Sequence, residues 1–208
     1  MKAEGGRRKE HEPPAAPQHP STPTPQHLSP IWRALEGYFR HVYRLRTLED
    51  DPEALLAYNV FRYQGAALTL ADGATVRPGD LVMELHFRRE ALAPLIADGN
   101  PARMGLGLMR LGDRDIPRLA RLLERDPGLA EVRALHALTL FHRGITRYGF
   151  EVLPVREWWV ERWFTWWHRL LLARDHAHGA RHVRENRAKL VTKHVWISRE
   201  ALLVRYQR

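Results

Sequence analysis

Glu84 and His86 are the residues best placed to do chemistry. They stand two apart in the alternating run Leu81 to Phe87, so on a strand they project from the same face. A carboxylate there can orient or charge an imidazole, which is the arrangement a general base needs. A solvated sheet face has the same pattern, and no serine, cysteine or second carboxylate stands at a spacing that completes a triad. Arg133 and Arg147 are the candidate binding partners of that pair; a concave pocket bringing either close to Glu84 and His86 would favour an enzyme.

Other histidines are weaker candidates. His176, His178 and His182 have spacings that can chelate a metal, but Gly179 breaks the regularity. Arg174, Arg181 and Arg184 oppose a cation, and only Asp175 and Glu185 offer acidic support. No metal or cofactor is expected. His136 and His142 flank Thr139 in an apolar run and read as buried histidines bonded to backbone. Gly105-Leu106-Gly107 lacks both the third glycine and the Lys-Ser/Thr ending of a phosphate loop. The spacings of the common nucleic-acid modules are also absent.

These residues need elements to hold them. Tyr58 to Tyr63 and Leu81 to Phe87 read as strands, with turns at Asp72-Gly73 and Pro78-Gly79 between them. Ser29-Pro30 opens an N-terminal helix carrying Ile31, Leu35, Tyr38, Phe39 and Val42, and Asp50-Asp51-Pro52 stops it. Arg88 to Ala97 reads as a short helix, and Asp115-Ile116-Pro117 starts another; Met104 to Met109 stays unassigned. Periodicity does not separate strand from helix in Glu131 to Phe141, but two adjacent strands, there and at Phe150 to Leu153, are favoured. His194 to Ile197 reads as a strand, and Ser198 caps a C-terminal helix.

Residues 156–173 give the strongest helix. Trp159, Val160, Trp163, Phe164, Trp166, Trp167, Leu170 and Leu171 fill about half its circumference, which predicts deep packing on a sheet. On that expectation Trp163→Ala costs about 3–5 kcal/mol. Trp158 falls on the polar side, beside Arg162, as the candidate exposed aromatic. Aromatic faces stack on sugars or bases, and an interfacial membrane helix is the further alternative. Against the latter, the polar face carries two glutamates.

The fold class is therefore α+β: an antiparallel meander packed against the Trp-rich helix and the N-terminal helix. The 208 residues suit one such domain, 29–208, behind a Pro-rich tail, 1–28, whose composition predicts disorder. The absence of cysteine excludes disulfides and thiolate chemistry. With no signal-peptide pattern and no transmembrane segment, the expected location is the cytoplasm. The net charge of +9 favours anionic partners, including nucleic acid, although 29 Arg against 4 Lys also reflects biased residue usage.

The order of short motifs resembles the YkoP-like family. Asp72-Gly73, Pro78-Gly79-Asp80-Leu81 and Glu84-Leu85-His86 are similar to its first signature. Leu138-Thr139-Leu140 followed by Arg147-Tyr148-Gly149-Phe150-Glu151-Val152 resembles a second, and Val195-Trp196-Ile197-Ser198-Arg199 with Leu202-Leu203 and Arg205-Tyr206 resembles the C-terminal one. The likeness spans about residues 30 to 207. It implies an uncharacterised domain of Gram-positive, often spore-forming bacteria, some relatives of which occur beside polysaccharide deacetylases. The motifs of such a deacetylase are not present here. The expectation is an accessory, non-catalytic domain in envelope or spore polysaccharide metabolism, with a cell-wall polymer or a deacetylase as partner. The alternatives are an enzyme using Glu84 and His86, and a basic module that binds polyanions.

Overall fold

The computed structural model describes residues 45–48, 51, 53–176 and 178–206. The Pro-rich tail and the helix expected from Ser29 lie outside these residues. The described elements run β1 (Arg46–Thr47), β2 (Leu56–Arg62), β3 (Leu68–Thr69), β4 (Thr75–Val76), β5 (Leu81–Phe87), α1 (Arg89–Ala97), α2 (Pro101–Arg125), β6 (Val132–Thr139), β7 (Glu151–Leu153), α3 (Trp158–Asp175), α4 (Gly179–Glu185), β8 (Lys193–Ser198) and α5 (Arg199–Tyr206). The class is α+β.

The main sheet has the order β1-β2-β5-β6-β8-β7, and β3 pairs with β4 in a separate hairpin. It is not the expected meander. β5 and β6 are parallel, with α1 and α2 forming the crossover that a parallel pair requires. Glu131 to Phe141 does contain a strand, β6, and Phe150 to Leu153 contains β7. β8 lies between them in the sheet.

One sheet face carries the main core. Leu56 and Tyr58 of β2, Met83 and Leu85 of β5, Leu135 of β6 and Ile197 of β8 pack with Ile116, Leu119 and Leu123 of α2 and Leu202 of α5. The other face has two regions. Val82, Ala134 and Trp196 pack under Leu70 and Val76 of the hairpin segment. The rest of that face is polar and underlies α3.

Helix α2 is longer than its sequence suggests. Met104 to Met109 belongs to it, and the helix starts at Asn100, whose Oδ1 accepts hydrogen bonds from Ala102 N (3.0 Å) and Arg103 N (3.2 Å). Two of its glycines, Gly107 and Gly112, serve close packing: a Cβ on Gly112 would lie 2.7 Å from the Tyr148 hydroxyl. Asp115 is therefore no N-cap. It is buried, accepting from Leu55 N at 2.6 Å and Arg114 Nε at 2.7 Å.

The orientation of α3 reverses the expectation from periodicity. Trp159, Trp163 and Trp166 are 62%, 58% and 54% exposed, and Leu170 is exposed with them. The buried residues of this helix are Thr165 and Leu172. The physical reason is the polarity of what lies beneath. Glu161 meets Lys193 (2.8 Å), His168 Nδ1 meets Thr192 Oγ1 (3.0 Å), and Thr165 Oγ1 accepts from Thr192 N (3.0 Å). A stripe of indoles placed there would strand those groups without partners.

Candidate functional site

Strand register assembles the polar patch under α3. Asn59 of β2 sits opposite Glu84 of β5, Glu84 opposite His136 of β6, and His136 opposite Trp196 of β8. Four strands thus contribute one cross-sheet row. His86 and His194 lie one pleat further along β5 and β8, on the same face.

The expected pair forms. His86 Nε2 is 3.4 Å from Glu84 Oε2 and 3.0 Å from Asn59 Oδ1. Both neighbours are acceptors, so Nε2 carries the proton and donates towards them. Burial alone would raise the Glu84 pKa; the hydrogen bond and charge of His86 outweigh it, and the carboxyl sits below its usual range. Both side chains are half-buried.

Two further imidazoles adjoin the pair. His136 Nε2 lies 2.6 Å from His194 Nδ1, and the indole of Trp196 is 4.4 Å from the His136 ring. Burial pushes His136 down to about 3, with His194 adding to the shift. It is therefore neutral. Its Nδ1 has no hydrogen-bond partner, so the single proton is best placed on Nε2, donated to His194. His136 was expected to bond backbone; another imidazole holds it instead. His142 does interact with the backbone of Thr139. Burial likewise lowers His168 of α3 to about 4, with His86 contributing, and lowers His194.

The candidate binding residues do not join this patch. Arg133 reaches Thr75 O at 3.4 Å, beside the hairpin. Arg147 pairs with Asp113 of α2 at 3.4 Å and caps the Tyr148 ring, on the main-core side. Trp158 is 69% exposed with the Arg162 guanidinium 5.7 Å from its ring centroid. Two surface cavities lie elsewhere. One, about 440 Å³, runs between α1 and α2 past Pro94, Leu95, Gly107 and Arg110; the other, about 290 Å³, is lined by His178, Arg181, His182 and Glu185.

The His176 and His182 rings stack with centroids 3.9 Å apart, and His176 Nδ1 accepts from His178 N. Among the described residues, no group of three His, Cys, Asp or Glu side chains is placed to hold a metal ion. Chemically, the patch under α3 is a hydrogen-bonded network with one open position: Glu84 orients His86, Asn59 fixes its tautomer, and His136 donates to His194 while its own Nδ1 is buried without a partner.

Asn59, His168 and His194 went unnoticed as members because they come from three distant segments. Strand register brings in Asn59 and His194 and helix packing brings in His168, and single-strand alternation carries information on neither.

The sequence model of the YkoP domain matches residues 26–206. The chain belongs to the YkoP domain family. A curated relative, "Uncharacterized protein YkoP" of Bacillus subtilis (strain 168), is 21% identical over 124 residues, which cover 59% of this chain and 68% of that protein. No solved structure gives a significant match. In this YkoP domain the motifs that carried the resemblance make structural contacts. Ser198 receives the Ala201 amide at the start of α5 and hydrogen-bonds Asp72 of the hairpin. Among the described residues, no helix is long and apolar enough to cross a membrane.

Proposed function

We propose that this YkoP domain is a non-catalytic accessory domain in bacterial envelope or spore polysaccharide metabolism, acting from the cytoplasm. The observation that carries the non-catalytic part is the state of the Glu84–His86 pair. The shared Nε2 proton is directed at Glu84 and Asn59, and the pair is half-buried under α3. Arg133 and Arg147, which would have supported an anionic substrate, sit on other parts of the domain. The polysaccharide context is supported by the deacetylase-associated domains that the sequence motifs resemble.

The test is sedimentation of the full chain with purified sacculi and wall polymers, for wild type and for Glu84→Gln and His86→Ala. Retention of all three by one polymer is the expected result. Absence of binding to every polymer overturns the accessory reading. Turnover of a glycan substrate that is lost on Glu84→Gln overturns the non-catalytic reading.

A further inference from the structure

The exposed indoles of α3 form one continuous feature. At about 100° per residue, Trp159, Trp163, Trp166 and Leu170 fall within about 60° of the helix circumference, opposite the face held by Glu161 and His168. With Trp158 they extend about 18 Å along the axis. The stripe is a convex ridge on the outside of a helix.

We propose that this ridge docks peripherally on an anionic lipid bilayer, with α3 lying in the plane of the headgroups. Indoles concentrate at the membrane interface, where one end is apolar and the other wet. A bilayer also accepts a convex ridge that has no complementary groove. Charge complementarity favours an anionic surface. Arg169 donates to Leu190 O (2.8 Å) and Arg187 O (2.6 Å), which pins the loop after α4 along the helix flank that also carries Arg162. Exposed Arg162, Arg187 and Lys189 therefore flank the indoles on a chain of net charge +9.

The two glutamates that weighed against an interfacial helix are accounted for. Glu161 is half-buried against Lys193, and the charge of Glu157 acts on His194 at the body side. The ring faces argue against sugar stacking: Trp163 and Trp166 pack on each other at 5.4 Å, and the guanidinium of Arg162 occupies Trp158. The basic flank argues against a second copy, because two such ridges would bring like charges together.

The experiment is co-sedimentation of the full chain with phosphatidylcholine vesicles and with equimolar phosphatidylglycerol–phosphatidylcholine vesicles, at low and high salt. Tryptophan emission is followed alongside. The comparison protein is Trp159→Ala/Trp163→Ala/Trp166→Ala, whose circular dichroism should match wild type because these side chains are exposed. The expected result is salt-sensitive binding to the anionic vesicles with a blue shift, weakened at least about tenfold in the triple variant. No binding at low salt overturns the proposal. So does equal binding by the triple variant, or a wild-type dimer that the triple variant dissolves. Vesicle binding and polymer binding are read separately, so failure of one leaves the other standing.

Discussion

Trp163→Ala and Trp196→Ala, measured side by side, separate a ridge from a core. An indole side chain has about 250 Å² to hide. Trp163 is 58% exposed, so about 100 Å² of it is covered, worth at most about 2.5 kcal/mol at ~25 cal/mol per Å². Alanine returns about 0.5 kcal/mol through its better helix propensity. The expected net cost is about 1–2 kcal/mol. Trp196 is 4% exposed and packs edge-on against Tyr63 at 5.8 Å, so its truncation leaves a cavity and should cost about 3–5 kcal/mol. Urea unfolding followed by far-ultraviolet circular dichroism measures both, provided the m-value is unchanged. Equal losses for the two variants would refute the orientation assigned to α3.

Acid should loosen the imidazole patch. His136 and His168 have folded pKa values of about 3 and about 4, depressed by burial from an ordinary 6.5. Such groups contribute stability that is fully present above about pH 6.5 and is lost as pH falls towards the folded values, because the unfolded chain takes the protons first. Between pH 7 and 4.5 each of the two should lose about 2.5 kcal/mol, about 5 kcal/mol together. Urea melts across that range should show it, and His136→Leu should flatten the profile; a flat wild-type profile would contradict the burial. Asp115→Ala removes the acceptor for Leu55 N and Arg114 Nε, and should cost about 3 kcal/mol in the same assay. A cost within about 0.5 kcal/mol would mean the carboxylate is dispensable.

The strands at Leu81 to Phe87 and Tyr58 to Tyr63 were legible because alternation and β-branched residues agree there. The turns at Asp72-Gly73 and Pro78-Gly79 were legible because they need glycine at positive φ, and Gly73 and Gly79 take 86° and 94°. Helix α2 was obscured by Gly105, Gly107 and Gly112, which locally read as loop although Gly107 and Gly112 serve close approach to Leu95 and Tyr148. The meander failed because sequence shows which segments are strands without showing which ones pair. The candidate site followed the same rule. Glu84 and His86 share one strand and were found together, while His136, His194 and Asn59 needed register to reach them. Helix α3 was mistaken in orientation, since periodicity locates an apolar arc and cannot say whether the surface beneath it is apolar.

That orientation is the claim on which the ridge rests. Hydroxyl-radical footprinting of the full chain, read at individual tryptophans by peptide mass spectrometry, tests it most directly. Trp159, Trp163 and Trp166 should react many-fold faster than Trp196, which is sealed between Tyr63 and His136. Protection of the three to the level of Trp196 in the monomeric protein would contradict the account.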